Sequence, residues 1–537
     1  MKRNLLLVLI VFVGLFLRLY NLSEIPVGLH GDEVSIGYNA YSLLKTARDQ
    51  DGNFLPLSFD QFGNFRAPGY EYIDIPFVAI LGLNALAVRL PAAIFGSLTV
   101  LIFYYFLLEF FGKKSSALLG SFLLAILPWH INISRASSEA VIASFFVIFG
   151  IYLVYRDKYI WGFASFLISF FFYHAAGPFV LVFLPFLFVL SKRNRWRSWI
   201  VYAVLIIGFV VFLTAGSGKG RVSQVSLLNI PGGTRDLIQS MDEDGSQNPL
   251  LTRFYHNKLY FYGRLFTTFF SQHISPDFLF VNNGKPERYR LYWVGNLYFI
   301  EAPFLVFGFA VLLVEGIKKK KYPWLLPLVW LIAGIVPAAL TWEDIPNVLR
   351  ANLMIPALVM IIAFGFFEAL TLTRGFVKTL FIGICAFLLF QNTSVFLHNY
   401  FYHSKIHEPW FRSASEEDVV FTADELSRQY QEVVMSTERN NNLIFHLFYL
   451  KFDPLEFQRL GSPKEEDGLR FSKLVFRYGP CPIEQFKLES EERLLKAVFI
   501  VKSSECEINP LKWETIKTIS TPDGLPAFYV VRRLSQV

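Results

Sequence analysis

Charge is scarce in this chain of 537 residues, and so is cysteine. Only 17% of the residues are charged, whereas 54% are hydrophobic and 17% are aromatic. This composition excludes an ordinary soluble enzyme, whose surface carries more charge. The net charge of +7 could suggest nucleic acid, but the basic residues lie in short clusters between apolar blocks instead of in one domain. We therefore expect no nucleic-acid partner.

Several familiar signatures of enzyme chemistry are also missing. No cluster of His, Cys, Asp or Glu has the spacing of metal ligands. The sequence therefore indicates no cofactor, although dependence on a divalent metal stays open. The run from Gly216 to Gly220 lacks the full P-loop pattern, and no serine-triad signature is present.

The chain does contain long apolar blocks. At roughly 20 residues per crossing, they predict about eleven spans, near 5–20, 89–111, 115–133, 138–155, 159–173, 176–190, 198–216, 297–316, 323–341, 349–371 and 377–396. The fold class expected is a mainly α, polytopic membrane protein. The first segment lacks a small-residue cleavage site, so we interpret it as an uncleaved anchor.

Basic clusters orient these spans. They are Lys2-Arg3, Lys113-Lys114, Arg156 with Lys158, residues 192–197, residues 318–321, and Arg374 with Lys378. All of them fall on one side of the predicted membrane, and such clusters mark the cytoplasmic face. We predict a multi-pass protein of the cell (plasma) membrane with a cytoplasmic N-terminus and an extracytoplasmic tail.

Two domains are expected. Residues 1–396 would form the membrane domain, with external loops at 21–88 and 217–296, and residues 397–537 a small extracytoplasmic α/β domain. Within the tail, a helical pattern covers 418–435 and strand-like runs cover 473–477, 497–501 and 527–531. The tail also holds Cys481 and Cys506, and an oxidising compartment would permit a disulfide between them; two unpaired cysteines are the alternative.

The predicted outer ends of the spans carry acids, bases and aromatics, whereas the inner ends carry almost only Lys and Arg. This mixture is typical of a site that handles a charged substrate at a membrane surface. Each residue taken alone also fits a plainer position. Asp32 and Glu33 would suit a helix start, Arg135 and Glu139 an intrahelical pair, and His174 a packing position.

The sequence resembles a known family at several blocks. Asp32-Glu33-x4-Tyr38-x-Ala40, Arg66-Ala-Pro68-Gly69-Tyr70 and Val88-Arg89-Leu90-Pro91 resemble the membrane-embedded GT-C glycosyltransferases, which include the protein O-mannosyltransferases and the aminoarabinose transferases of lipid A. Looser matches are Arg135-x3-Glu139, Tyr173-His174-x3-Pro178 and Arg350-Ala-Asn352-x3-Pro356. The chain departs from the family at Arg66 and Ala67, where a lysine and a proline are usual.

The resemblance implies the GT-C architecture and an inverting transfer from a polyprenyl-phosphate sugar, hexose or pentose, to a hydroxyl of a protein, lipid or glycan. By resemblance Asp32 is the base and Glu33 orients the acceptor. The phosphate candidates are Arg66 and Arg350, because guanidinium groups suit phosphate oxygens. The other substrate-binding residues expected are Tyr38, Arg89, Arg135, Glu139, Tyr173 and His174.

The transfer reaction implied by the resemblance needs only one carboxylate, to take the proton of the acceptor hydroxyl. The leaving phosphate is already a stable anion and needs no general acid, unlike the alkoxide of a glycoside hydrolase. A transporter or flippase of lipid-linked glycans is the alternative function. It should show internal repeats or broken helices near the midplane of the membrane, and the sequence shows no convincing ones. A catalytically silent receptor built around the tail would leave the first loop unexplained.

Overall fold

The computed structural model of the chain is mainly helical, as predicted. It describes residues 2–61, 64–190, 196–215, 220, 223–245, 249–437, 442–461, 468–479, 481, 483 and 491–534. These residues form two compact units. The first comprises Met1–Tyr20, Phe65–Gly69 and Ala92–Asn399, and the second comprises Asn21–Asn64, Tyr70–Pro91 and Tyr400–Val537. The predicted division at residues 396/397 stays a prediction.

Apolar helices make up most of the first unit. In chain order the helices from the N-terminus to residue 401 are α1 (Lys2–Leu19), α2 (Gly31–Thr46), α3 (Gly69–Leu81), α4 (Ala85–Phe111), α5 (Lys114–Ile126), α6 (Pro128–Ser134), α7 (Glu139–Tyr155), α8 (Tyr159–Phe172), α9 (Ala176–Leu190), α10 (Trp196–Ala215), α11 (Gly233–Glu243), α12 (Pro249–Tyr255), α13 (Lys258–His273), α14 (Ala302–Leu313), α15 (Leu326–Ala339), α16 (Ile355–Thr371) and α17 (Gly375–Phe401).

Several of these helices are long and apolar enough to cross a bilayer. Within the described residues five pass this test alone, namely Ala85–Phe111, Phe299–Lys318, Tyr322–Ala339, Asn352–Thr371 and Gly375–Lys405, and α5 with α6 would be a sixth. Shorter apolar helices cover Leu5–Leu19, Glu139–Tyr155, Tyr159–Phe172, Ala176–Leu190 and Ser198–Val211. The chain is a multi-pass membrane protein, and the count of eleven crossings stays a prediction.

The third predicted span is broken in the middle. Helices α5 and α6 meet at an angle of 55° at Pro128, whose ring cannot continue the backbone hydrogen bonds of α5. The carbonyls freed at the end of α5 find other donors: Arg18 Nη1 lies 3.0 Å from the Ala125 oxygen, and the Tyr298 hydroxyl lies 2.7 Å from the Ile126 oxygen. These bonds meet the requirement that backbone polar groups be satisfied inside a membrane.

The second unit combines helices with a mixed sheet. Two short strands, β1 (Phe59–Gln61) and β2 (Asn64–Arg66), come earlier in the chain. The strands of the mixed sheet are β3 (Glu432–Thr437), β4 (Arg470–Phe471), β5 (Leu474–Tyr478), β6 (Ala497–Lys502), β7 (Trp513–Ser520) and β8 (Pro526–Arg533), in the spatial order β4-β5-β3-β6-β8-β7. Strand β3 runs parallel to β5 and β6, and the other pairs are antiparallel. The helices of the tail are α18 (Glu416–Gln429), α19 (Asn442–Tyr449), α20 (Pro454–Leu460) and α21 (Glu491–Lys496).

Two details of the tail compare directly with the sequence. The helix predicted over 418–435 was too long, because α18 ends at Gln429 and Glu432 begins β3. Val433 and Val434 are β-branched and buried in the middle of the sheet, where such residues favour a strand. The sulfur atoms of Cys481 and Cys506 are bonded, with the Cα atoms 4.9 Å apart.

Candidate functional site

Helix α2 carries the Asp-Glu pair in its first turn. The residue before the helix, His30, accepts a hydrogen bond at Nδ1 from the Asp32 amide, at 3.2 Å, and donates its own amide to Glu33 Oε2, at 3.2 Å. This reciprocal arrangement is a capping box. The helix-start interpretation of the pair therefore holds for the backbone and for Glu33, which satisfies one of the free groups there.

Glu33 also forms a buried ion pair. Its Oε1 lies 3.0 Å from Nε of Arg89, whose side chain is only 1% exposed. Arg89 further donates to the carbonyl oxygens of Leu22, at 3.2 Å, of Pro26, at 2.8 Å, and of Gly28. The pair thus ties the chain before α2 to the start of α4, and its polar atoms face protein groups.

Asp32 lies in a different environment from its neighbour. Its side chain is 43% exposed, against 9% for Glu33. Successive residues of a helix point about 100° apart, so the two carboxylates do not act as a dyad. The Asp32 Oδ2 atom lies 3.6 Å from His30 Nδ1. Of the two acids, Asp32 is the one that a solvent-borne group can reach.

Tyr38, six residues after Asp32 on α2, is fully buried. Its hydroxyl donates to the Phe452 carbonyl at 3.3 Å, and its ring packs edge-on against Phe457 with the centroids 6.2 Å apart. Burial raises the pKa of the Tyr38 phenol far above its usual value, so this group stays neutral. The structure places Tyr38 among protein groups of the same unit.

Arg66 and Glu139 meet in the first unit. The Arg66 Nε atom lies 3.5 Å from Glu139 Oε1, and the side chains are 14% and 16% exposed. Glu139 begins α7, where the helix dipole favours an acid. The intrahelical pairing of Arg135 with Glu139 was wrong, because α6 ends at Ser134 and the two residues lie on either side of a break.

Arg135 has a different role in the structure. Its side chain is fully buried, and it donates to the carbonyl oxygens of Leu17, at 2.9 Å, and Tyr20, at 2.7 Å. The last carbonyls of a helix have no partner within it, so Arg135 caps the C-terminus of α1. Nothing in the local sequence around Arg135 reveals this contact, which spans more than a hundred residues.

Arg350 lies in a tightly bonded loop before α16. Its side chain is 10% exposed; Nη2 lies 2.8 Å from Glu343 Oε2, and Nη1 lies 3.1 Å from Thr341 Oγ1. The Arg350 amide donates to Asn347 Oδ1 at 2.8 Å, and the Asn347 amide donates to His273 Nε2 at 2.9 Å. This chain of bonds fixes the backbone that carries the guanidinium group.

Tyr173 and His174 follow α8 directly. Both are half-buried, and their rings stack with the centroids 5.8 Å apart. Gly69, at the start of α3, belongs to the same unit: a side chain there would meet the Phe172 ring at 2.7 Å and the Phe171 carbonyl at 2.8 Å. The ring contact agrees with the packing interpretation of His174.

Two buried acidic residues of α3 were not predicted from the sequence. Glu71 and Asp74 lie one turn apart on α3 and are both fully buried. Among the described residues neither oxygen of Asp74 has a hydrogen-bond partner, and burial, followed by the charge of Glu71, raises the pKa of Asp74 well above its usual value. The i, i+3 spacing after the Arg66 block was the available signal. Within all the residues that the structure describes, no three His, Cys, Asp or Glu side chains are placed together to bind a metal.

The structure therefore brings some of the predicted site residues together in pairs, each within one unit. In the second unit it brings Glu33 together with Arg89, and Tyr38 with the tail. In the first unit it brings Arg66 together with Glu139, whereas Arg350 lies with Glu343. His273, which supports the Arg350 loop, was missed because it bonds to Asn347 across 74 residues.

Comparisons with known proteins bear on the family. Residues 8–214 match the model of the dolichyl-phosphate-mannose-protein mannosyltransferase family. Over 178 residues the chain is 27% identical to "Putative mannosyltransferase YkcB" of Bacillus subtilis (strain 168); this match covers 31% of the chain and spans 23% of that protein.

Solved structures extend the likeness over the whole chain. The crystal structure of ArnT from Cupriavidus metallidurans bound to undecaprenyl phosphate matches over 98% of both chains with a TM-score of 0.50 and 14% identity, which shows a shared fold. The apo form of that protein has a TM-score of 0.49 and 12% identity, with 98% of this chain and 97% of that one covered. The resemblance seen in the sequence blocks is confirmed.

Proposed function

We propose that this chain is a GT-C membrane glycosyltransferase, similar to the matched mannosyltransferase family and to ArnT. It would transfer a sugar, with inversion, from a polyprenyl-phosphate donor to an acceptor hydroxyl on the extracytoplasmic side of the cell membrane. The matched family and the Bacillus relative are named as mannosyltransferases, and the ArnT structure contains undecaprenyl phosphate. These names support a lipid-phosphate donor here. The acceptor would be a protein, a lipid or a glycan.

The observation that carries the proposal is the contrast between the two acids of α2. Glu33 is buried and paired with Arg89, whereas Asp32 keeps 43% of its side chain exposed. A reaction that expels a phosphate needs one base and no general acid, because the leaving group is already a stable anion. One accessible carboxylate agrees with that requirement.

The proposed reaction is a single displacement at the sugar. The acceptor oxygen forms a bond to the anomeric carbon while the bond from that carbon to the phosphate oxygen breaks. The acceptor's proton passes to a carboxylate oxygen of Asp32, and the electron pair of the broken bond leaves on the polyprenyl phosphate. Attack opposite the leaving group inverts the anomeric configuration.

For the phosphate we propose Arg66 and Arg350. Each pairs with a glutamate carboxylate and keeps a small part of its side chain exposed, 14% for Arg66 and 10% for Arg350, so a phosphate could share or replace the carboxylate in charge-assisted bonds. The contacts of Arg89 and Arg135 with backbone carbonyls fit structural roles better. Substrate contacts by Glu139, Tyr173 and His174 stay predictions.

The direct test supplies purified protein with a panel of polyprenyl-phosphate hexoses and pentoses and measures release of polyprenyl phosphate with a hydroxyl acceptor present. We expect release with at least one donor, and its identity would name the sugar class. A flippase would instead move the intact donor between the leaflets of proteoliposomes without cleaving it. Translocation without release would replace the proposal by that alternative.

We also propose that the N-terminus is cytoplasmic and the tail extracytoplasmic, because the Lys/Arg clusters all fall on one side of the predicted membrane. Single cysteines introduced at the exposed positions Gln239 and Glu425 should react with an impermeant reagent on intact cells. Cysteines at the equally exposed Lys113 and Lys319 should react only after the cells are opened. Protection of Glu425→Cys in intact cells would overturn this topology.

A further inference from the structure

Helix α2 packs along its length against the tail within the second unit. The closest approach is at Gly37, where an added Cβ would lie 2.7 Å from a ring carbon of Phe448, in α19, and 2.7 Å from Val88. Real side chains do not approach this closely in a packed interior. Glycine at this position therefore allows α19 to lie directly on the backbone of α2.

The next residue, Tyr38, also contacts the tail. Its hydroxyl bonds to the carbonyl of Phe452, which follows α19, and its ring contacts Phe457 in α20. Tyr38 is fully buried, so both its apolar ring and its polar end are used in this contact.

The end of α2 is held by a single amide from α20. The Gln458 nitrogen lies 3.0 Å from Ser42 Oγ, 3.0 Å from Thr46 Oγ1 and 2.8 Å from the Asp49 carbonyl. Both hydroxyls already donate their hydrogen elsewhere, that of Ser42 to the Arg48 carbonyl at 2.8 Å and that of Thr46 to the Ser42 carbonyl at 2.9 Å. They can therefore only accept from Gln458, which fixes the orientation of its amide.

The turn before α2 also rests on the tail. Gly28 has φ +68, which favours glycine, and an added Cβ there would lie 2.5 Å from the Arg412 carbonyl and 2.7 Å from the Ala414 Cα atom. Those two residues lie in the tail, shortly before α18. The helix is thus fastened on both sides of its first turn, by the tail at Gly28 and by Arg89 at Glu33.

From these contacts we infer that the tail positions α2. It holds the helix so that the Asp32 carboxylate stays within hydrogen-bonding distance of the reacting hydroxyl. Gln458 and Tyr38 are the positioning residues. The inference rests on the proposed role of Asp32 as the base. Positioning matters here because a displacement of about 1 Å at a reacting group can cost on the order of a hundredfold in rate.

The test uses the full-length protein with Gln458→Ala and, as a milder change, Tyr38→Phe, which removes only the hydroxyl. The matched control is Glu514→Gln, which breaks a tail ion pair with Arg532 on β7 and β8, where both partners are about half exposed. Hydrogen exchange is followed in α2 and in α7 of the other unit, together with kcat and the KM for the donor.

We expect exchange in Gly31–Thr46 to become about tenfold faster in Gln458→Ala, as the loss of one or two hydrogen bonds predicts, with α7 unchanged. The kcat should fall about tenfold or more while the donor KM stays within about twofold, because positioning the base affects the reaction step. Tyr38→Phe should show the same pattern more weakly, and Glu514→Gln should resemble the parent protein.

Unchanged exchange in α2 in both variants would show that the tail does not fasten the helix. Faster exchange with unchanged kcat would show that the contact is structural only, and this also overturns the inference. If the parent protein cleaves no donor at all, the proposed function fails instead, and the exchange measurement still decides whether the tail holds α2.

Discussion

The arginines near the ends of the apolar helices occupy two kinds of environment. Arg89 and Arg135 are fully buried, and both donate to backbone carbonyls that close a turn or a helix end. Arg66 pairs with Glu139 and keeps 14% of its side chain exposed, whereas Arg350 pairs with Glu343, also donates to the Glu343 carbonyl, and keeps 10% exposed. The contacts of the first pair stabilise the fold, whereas for the second pair we propose that a substrate phosphate shares or replaces the carboxylate.

Residue type and sequence position therefore do not separate a structural arginine from one that we propose to bind substrate. All four residues were predicted to bind substrate. What marks Arg89 and Arg135 is that their guanidinium groups bond backbone carbonyls far away in the chain, whereas the carbonyl bonded by Arg350 belongs to Glu343 in the same loop. The Arg-Leu-Pro block at Arg89 is therefore better understood as a folding element than as a substrate contact.

The largest effect expected is on stability at Arg89. Arg89→Gln would leave Glu33 buried without its charge partner, and breaking a buried pair in this way costs about 3–5 kcal/mol. Thermal unfolding in detergent should show a large fall in the melting temperature. Arg66→Gln is the matched control, because its pair with Glu139 is longer, at 3.5 Å, and both side chains keep some exposure, 14% and 16%, so the fall should be smaller than in Arg89→Gln. Equal losses in the two variants would erase the distinction between the two environments.

A smaller effect is expected on donor binding at Arg66 and Arg350. Replacing either by Gln removes a charge-assisted bond worth roughly 1.5–3 kcal/mol, so donor affinity should fall about tenfold or more in protein that remains folded. Arg156→Gln is the control, since it breaks an ion pair with Glu109 that lies at the predicted inner surface. Direct binding of labelled donor decides this. Unchanged affinity in both variants would remove these arginines from the site.

The support beneath Arg350 should respond to pH. Burial, with a contribution from the charge of Arg350, lowers the pKa of His273 to about 4, while a bond to the Phe269 carbonyl opposes this. Because the neutral ring is favoured in the folded state, its stabilisation is complete above the ordinary pKa of 6.5 and is lost as the pH falls towards 4. His273→Gln cannot titrate, so its melting temperature should fall less than that of the parent between these pH values. Parallel curves would contradict this.

Local patterns predicted the helices well and the contacts between them poorly. The apolar blocks gave the helices, and the first-turn acids gave the start of α2, because both signals lie within a few residues. The strand at Val433 depended on partners elsewhere in the chain, whereas the bend at Pro128 follows from the proline itself, a local signal that the span predicted over 115–133 did not take into account. Contacts such as Arg135 with Leu17 or Gln458 with Ser42 join residues more than a hundred positions apart, and no periodicity within one segment encodes them.

Asp32→Asn tests the central claim most directly, with turnover and donor binding measured on the same protein. The amide keeps the shape of the carboxylate but cannot accept a proton usefully at neutral pH, and loss of a general base typically costs about 10²–10⁴ in rate. Glu33→Gln serves as the neighbouring control and should lower stability through its buried pair with Arg89. We predict that turnover of Asp32→Asn collapses while donor affinity and melting temperature stay close to those of the parent; a variant that keeps more than about a tenth of the parent's turnover would contradict the assignment of Asp32 as the base.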